Sequence, residues 1–306
     1  MTGGAGAIGA NVVRAVLERG DDVTVLDNLS SGQATHLPDQ VRFVCGSTTS
    51  ADDVREAFAD GPEVVFHLAA LFANQNSIDH PADDLLTNGL GTLRVFEAAA
   101  AAQVRRVVNV SSSVVYGARA TMREDDGVGP LDTPYAITKL LGEHYASFWA
   151  RAYGLPIVST RMFNVYGPYE RPGKHRNVVS KFIAAALAGE PLVITGTGDE
   201  TRDFTFMADA VRGMLLASTA DVAPGTVVNI ASGVATPVRR VAELVNELSG
   251  NGAGVVFQPR RAWDRIGQRL ADISRARCLL GYEPTVALEE GLSITVDWLR
   301  HALVAT

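Results

Sequence analysis

The sequence predicts an α/β fold, a doubly wound parallel sheet followed by a smaller second domain, and two features predict it. Short β-branched runs recur as VTVLD (23–27), VRFVC (41–45), EVVFHL (63–68), RRVVNVS (105–111) and LPIVSTRM (155–162). Segments of helix length separate them, at roughly 9–20, 51–60, 82–102 and 134–153, as the crossovers between parallel strands require. Strands spaced in this way imply βαβ units and a parallel sheet covered on both faces. After about residue 165 the order loosens: YGPYERPGKHRN leads into short mixed elements and a last amphipathic helix at roughly 287–303. Residues 1–165 are therefore expected to form the sheet domain and 166–306 the smaller one, with a segment near 202–232 such as TVVNIAS returning to the first sheet.

The first element is a turn. Thr2-Gly3-Gly4-Ala5-Gly6-Ala7-Ile8-Gly9 places glycines at i, i+3 and i+6 and runs into an apolar-periodic helix, the pattern of a phosphate-cradling loop at a helix N-terminus. The strand VTVLD then ends at Asp27, where a carboxylate would accept hydrogen bonds from ribose hydroxyls. Turn, helix and acid in register point to a dinucleotide. A strand normally precedes such a turn, and here only Met1 and Thr2 stand before Gly3. The expectation is that the sheet position beside VTVLD is empty and that the true start lies upstream, at a valine codon that also serves as a start codon. Usage rich in arginine and poor in lysine fits the GC-rich genome in which such a start is misread.

Composition excludes several classes. With 47% hydrophobic and 20% charged residues the 306-residue chain can bury a large core, and a net charge of −7 without a basic run argues against nucleic acid or an anionic membrane as partner. Cys45 and Cys278 each stand alone in apolar company and are expected in the core, which leaves no disulfide framework. The six histidines, among them His67 and His175, show no metal-ligand spacing, so no metal is implied. No signal peptide or membrane-length apolar run is visible, and a cytoplasmic location is expected.

A second constellation carries acid–base chemistry. SSSVVYG (111–117) follows a strand and PYAITKLLGEHY (134–145) opens a helix, placing Tyr135 and Lys139 at i and i+4 on one face. With 7 tyrosines and 3 lysines in 306 residues, a Tyr-x-x-x-Lys spacing arises by chance about 0.07 times. An ammonium beside a phenol stabilises the phenolate and makes Tyr135 a usable base, and Ser112 would hydrogen-bond the reacting oxygen.

With both constellations in view, the chain resembles the extended short-chain dehydrogenase/reductase superfamily, and within it the NAD-dependent nucleotide-sugar epimerase/dehydratase family typified by UDP-glucose 4-epimerase. The resemblance runs over essentially the whole length: the glycine turn, VLDNLSSG (25–32), FHLAA (66–70), TNGLGTL (87–93), RMFNVYGP (161–168) and TRDFTFMADA (201–210). It implies a Rossmann-like first domain and a C-terminal substrate domain. It also implies NAD held by Gly3, Gly6, Ala7, Ile8, Gly9, Asp27, Asn28, Ser47, Leu68, Ala69, Ala70, Asn88, Tyr135 and Lys139. It makes Ser112, Tyr135 and Lys139 catalytic, and gives Ser112, Tyr135, Asn164, Arg202 and Arg261 to the nucleotide-sugar substrate, the arginines at its diphosphate. Asp27 favours NAD over NADP by repelling a 2′-phosphate. In resembling enzymes the helices at 82–102 and 134–153 form a four-helix dimer interface, so a homodimer is expected.

Departures from the family pattern bear on the reaction. CGST replaces the usual Gly-Asp, leaving Ser47 a neutral contact with adenine, and Trp263 stands where a glycine is usual. Where 4,6-dehydratases carry Asp-Glu after the active-site hydroxyl, this chain has Ser113 and Val114, and a valine cannot shuttle a proton. The resemblance therefore implies a nucleotide-sugar 4-epimerase acting through a 4-keto sugar. The rivals are a dehydratase or decarboxylase drawing its acid from elsewhere, for instance Glu124, a net oxidoreductase, and a non-catalytic nucleotide-binding module.

Overall fold

A computed structural model describes residues 1–173, 177–260 and 267–304. In chain order its elements begin with α1 (Ala7–Glu18), β1 (Thr24–Asp27), β2 (Arg42–Cys45), α2 (Ala51–Ala57), β3 (Val64–His67), α3 (Asn74–Asp79), α4 (Pro81–Asp84) and α5 (Gly91–Ala101). They continue with β4 (Arg106–Ser112), β5 (Thr121–Met122), α6 (Pro134–Tyr153), β6 (Ile157–Met162), β7 (Val165–Tyr166), α7 (Val178–Leu187), β8 (Leu192–Thr195) and β9 (Thr201–Asp203). The last are β10 (Thr205–Phe206), α8 (Met207–Thr219), β11 (Thr226–Ile230), β12 (Ala235–Pro237), α9 (Val238–Ser249), β13 (Val255–Gln258), β14 (Leu270–Ala271), α10 (Ser274–Leu280) and α11 (Leu288–Val304).

The large sheet is parallel throughout, with β2 beside β1 on one side and β3, β4, β6 and β11 in that order on the other. The position between β1 and β3 is not empty. Met1 and Thr2 fill it: Leu26 N–H donates to the Met1 carbonyl at 2.8 Å and Gly3 N–H to the Leu26 carbonyl at 2.9 Å. On the other side, Thr2 N–H donates to the Phe66 carbonyl at 3.0 Å and Leu68 N–H to the Thr2 carbonyl at 3.1 Å. Met1 and Gly3 bond to β1 and Thr2 bonds along β3, joining the halves of the sheet where their strand ends meet. The chain leaves this position for β1 and β2, then crosses back to β3, so the strand order reverses beside Gly3. Such a reversal opens a crevice at the carboxyl ends of the strands.

Adjacent strand residues point to opposite faces, and the packing follows. Val108 and Val158 lie in one core with Val12, Met214 and Ile230, whereas Val107 and Ile157 lie in the other with Val95, Phe96 and Ala146. Helices α1 and α8 thus cover one face, and α5 and α6 the other. Helix α6 starts where it does because Pro134 sits in its first turn and the Thr133 hydroxyl accepts from Ala136 N–H at 3.3 Å. It stops at Gly154, whose φ of +66° suits glycine.

The helix expected over 82–102 is interrupted. A π-helical turn, Leu85–Leu90, separates α4 from α5. Such turns mark places where a side chain is re-aimed, and here Asn88 turns onto the backbone of Leu71. The cysteines also depart from expectation: both are exposed, Cys45 because β2 is the sheet's edge strand and Cys278 because it lies on the outer side of α10.

Strand β11 pairs with β6 in the large sheet. Beyond residue 165 a separate core gathers Phe182, Ile183, Leu192, Ile194, Phe204, Phe206, Val241, Val245, Leu292 and Leu299 from α7, β8, α9 and α11. Among the described residues no helix is long and apolar enough to cross a membrane, and no group of His, Cys, Asp and Glu could hold a metal ion.

Candidate active site

A cavity of about 1150 Å³ opens over the carboxyl ends of the strands and runs from the glycine turn into the second core's loops. Gly3, Gly6, Ala7, Ile8 and Gly9 line its floor. The glycines serve different needs. Gly3 has φ +71°, and a Cβ there would stand 2.6 Å from the Ala69 nitrogen; at Gly9 it would stand 2.2 Å from the Gly3 carbonyl oxygen. Both are demanded by the protein's own backbone. At Gly6, the residue capping α1, a Cβ would stand 3.3 Å from the Gly3 carbonyl oxygen, a tight contact but a far milder one than at Gly3 or Gly9, and the backbone is ordinary. A helix N-terminus of this kind favours an anionic group.

Asp27 and Asn28 line the same end. Asp27 accepts from Ala5 N–H at 3.0 Å and Leu29 N–H at 2.8 Å, so its carboxylate braces the glycine turn as well as facing the cavity. Ser47 lines the wall opposite, its hydroxyl bonded to the Thr49 hydroxyl at 2.8 Å. The carboxylate holding this turn is Asp53, which accepts from Ser47 N–H at 2.8 Å and lies below the usual range because of that bond and the one to Ser50.

Leu68, Ala69 and Ala70 line the middle of the cavity, but Asn88 does not. Its side chain accepts from Leu71 N–H at 2.8 Å and donates to the Leu71 carbonyl at 3.2 Å, so it acts one layer back by fixing the loop that does line the cavity. His67 is likewise internal. Thr92 donates to the Asn88 carbonyl at 2.6 Å and so accepts from His67 Nε2 at 2.9 Å, leaving Nδ1 to accept from the Thr2 hydroxyl at 2.8 Å. Burial and the nearby Lys139 push this imidazole down to about 3, and it stays neutral.

Ser112, Tyr135 and Lys139 converge on the cavity wall. Ser112 ends β4 and hydrogen-bonds the Tyr135 phenol, while Tyr135 N–H donates to the buried Ser77 hydroxyl at 3.0 Å. Lys139 Nζ donates to the Val110 carbonyl at 2.8 Å and lies 5.8 Å from the Tyr135 ring centroid. Burial pushes the Lys139 amine down to about 8. It also pushes the phenol well above its ordinary range, with Asp84 adding to the rise and the Ser112 bond opposing it.

Behind this trio lie residues that sequence reasoning missed. Glu143 follows Lys139 by one turn and takes a bidentate pair from Arg161 at 2.9 and 2.7 Å, with both side chains buried, while Ser111 also donates to it. An i+4 carboxylate and an arginine inside an apolar strand were the legible signals. Asp84, fully buried, accepts from Thr138 at 2.6 Å and Asn88 at 2.8 Å, and nothing in its neighbourhood of sequence announces it.

At the far end Asn164 and Arg202 line the cavity. Asn164 adopts φ +31° and donates to the Asp203 carbonyl at 3.0 Å, and Arg202 donates to the Thr201 carbonyl at 2.9 Å. Arg261, Trp263 and His175 lie outside the described residues. Two cations not expected from sequence, Lys181 and Arg269, also line this region. Ser113 and Val114 face the cavity beside Ser112, but Glu124 does not line it; that carboxyl accepts from Asn229 N–H at 2.7 Å and lies 3.9 Å from Arg275.

Residues 1–231 match the model of the NAD dependent epimerase/dehydratase family. The chain is 38% identical to a UDP-glucose 4-epimerase of Mycolicibacterium smegmatis over 98% of both chains. Among solved structures it is similar to an epimerase from the methanogen Methanothermobacter thermautotrophicus, with 44% identity, TM-score 0.97, and 99% of this chain and 92% of that one covered. It is similar too to the Thermus thermophilus UDP-glucose 4-epimerase in complex with NAD, with 32% identity, TM-score 0.89 and 98% of each chain covered.

Proposed function

Because the chain belongs to the NAD dependent epimerase/dehydratase family, we propose that it is an NAD-dependent nucleotide-sugar 4-epimerase, an isomerase acting on a UDP-sugar through a 4-keto sugar. The observation that carries this reading is the Ser112, Tyr135 and Lys139 trio on a cavity wall where Ser113 and Val114 stand beside it and Glu124 is held elsewhere. Among the described residues, the wall thus has a base for oxidation at C4, and the two positions after Ser112 carry no acid to expel a hydroxyl.

Gly3, Gly6, Ala7, Ile8 and Gly9 would hold the NAD pyrophosphate, Asp27 and Asn28 the adenosine ribose, Ser47 the adenine edge, and Leu68, Ala69 and Ala70 the middle of the cofactor. When bound, NAD supplies a reversible hydride acceptor. Ser112 orients the sugar hydroxyl, and Tyr135 takes its proton and later returns it. Lys139, anchored to the Val110 carbonyl, offsets the burial that otherwise keeps the phenol protonated. Asn164 and Arg202, with Arg261, are assigned to the nucleotide diphosphate. Residues 1–165 form the cofactor domain and 166–306 mainly the substrate domain, with 202–232 returning to the first. The enzyme acts as a cytoplasmic homodimer.

The test is the fate of a C4 label. A nucleotide sugar deuterated at C4 should yield the C4 epimer with its deuterium retained, because the same hydride returns to the opposite face. Label appearing at C6 would mark a dehydratase, and label released in free NADH a net oxidoreductase; either would reject the epimerase reading.

A further inference from the structure

Asp84 is the buried charge that the chemistry above does not use. It is 0% exposed, and among the described residues its carboxylate has no arginine or lysine within hydrogen-bonding distance. Both oxygens accept from neutral donors: Oδ1 from Asn88 Nδ2 at 2.8 Å and Oδ2 from the Thr138 hydroxyl at 2.6 Å. The bonds from Thr138 and Asn88 favour the ionised form, and burial opposes them. Thr138 stands next to Lys139 and one turn from Tyr135 on α6, while Asn88 clamps both backbone groups of Leu71. The residues after Leu71 carry Phe72, whose ring meets the Tyr135 ring edge-on at 5.8 Å. One carboxylate therefore joins the helix of the base to the loop over it.

We propose that Asp84 is a positioning residue for the Tyr135 and Lys139 couple, the buried counter-charge to the Lys139 ammonium that α4 supplies through Thr138; this rests on the roles proposed above for that couple. Glu143 also holds the proton on Lys139, second to Asp84, but does not share its effect on Tyr135. Glu143, on α6 itself, is already paired with Arg161 of β6, and His67 of β3 is neutral. Asp83, beside Asp84 on α4, is exposed at the cavity mouth, and α3 and α5 bring no charged side chain into contact with the pair among the bonds and ion pairs described. A negative charge at Asp84 holds the proton on both partners: it keeps Lys139 charged and opposes ionisation of Tyr135. Its removal moves both titrations the same way, to lower pH.

Asp84→Asn is close to isosteric. The new amide oxygen accepts from Asn88, the new NH2 donates to Thr138, and the Thr138 proton turns to the Tyr135 carbonyl, already 3.3 Å away. The experiment follows the Lys139 amine by NMR in the lysine-labelled full chain with NAD present. Only 3 lysines have to be resolved, and Lys139→Arg assigns the signal. The Lys139 midpoint should fall by about one pH unit in Asp84→Asn, the lower end of what a nearby charge produces, and both limbs of the kcat/KM profile for epimerisation should move to lower pH. Asp84→Glu should restore the midpoint in part. An unchanged Lys139 midpoint in a folded Asp84→Asn protein overturns the proposal whether or not the wild type epimerises. A wild type that binds NAD but turns over no nucleotide sugar sinks the functional reading alone, because the lysine titration still decides the role of Asp84.

Discussion

At the scale of single residues, the glycine turn separates what the fold demands from what a ligand demands. A methyl at Gly9 would meet the Gly3 carbonyl oxygen at 2.2 Å, backbone against backbone, and neither can yield without opening the turn. Gly9→Ala should therefore lower Tm by about 3 °C or more, corresponding to about 1 kcal/mol for a chain of this size. At Gly6 the same methyl meets nothing closer than 3.3 Å, and φ −73° is open to alanine. Gly6→Ala should lower Tm less than Gly9→Ala while weakening NAD binding at least ~10-fold, as the pyrophosphate position proposed for this turn requires. Thermal melts and NAD titration of the two variants check both statements, and equal NAD affinity for Gly6→Ala and the wild type would remove the pyrophosphate from this turn.

At the scale of elements, the position of Tyr135 relative to Ser112 depends on how α6 is fastened to the end of β4. Behind the Ser112 hydroxyl, Lys139 bonds to the Val110 carbonyl and Ser111 to Glu143. Ser111 and Arg161 are register partners on β4 and β6, so their side chains rise toward α6 together and Glu143 closes over both. The Arg161 guanidinium also lies 4.5 Å from the centroid of the Tyr116 ring, whose hydroxyl donates to Asn229 at 2.7 Å, carrying the same network on to β11. Glu143→Ala strands a buried guanidinium and should cost about 3–5 kcal/mol of stability in urea unfolding, whereas adding Arg161→Met should recover part of that loss. Simple additivity of the two single losses would show that the pair is not one unit.

At the scale of the whole molecule, one group of exposed apolar side chains lies on α6 and the π-turn. Ile137 and Phe148, 54% and 47% exposed, are 11 residues apart on α6 and so share a face. Leu85 of the π-turn, 54% exposed, reaches the same surface, since its side chain and that of Leu141 both flank Gly89. A homodimer across α6 and the π-turn would cover these side chains. Light scattering should give twice the 32.5 kDa chain mass at micromolar concentration, and Ile137→Glu with Phe148→Glu should halve it. A wild-type particle of 32.5 kDa would contradict the dimer.

Sequence by itself determined the order of strands and helices, the three glycines with Asp27, and the Ser112, Tyr135 and Lys139 set. Each of these is a local pattern, a period or a fixed spacing within one turn or one helix, and local sterics are enough to make it legible. Tertiary structure alone decided the rest. The two-residue bridge at Thr2 depends on both neighbouring strands being present at once, and the exposure of Cys45 depends on β2 being an edge. The π-turn that takes Asn88 away from the cavity wall answers to Leu71, 17 residues earlier. Asp84 meets Thr138 across 54 positions, and Glu124 is drawn to Asn229 across 105. Such pairs have no period and no fixed spacing; a buried carboxylate is placed by the donors that folding brings to it, because burial without them costs more than the chain can recover elsewhere.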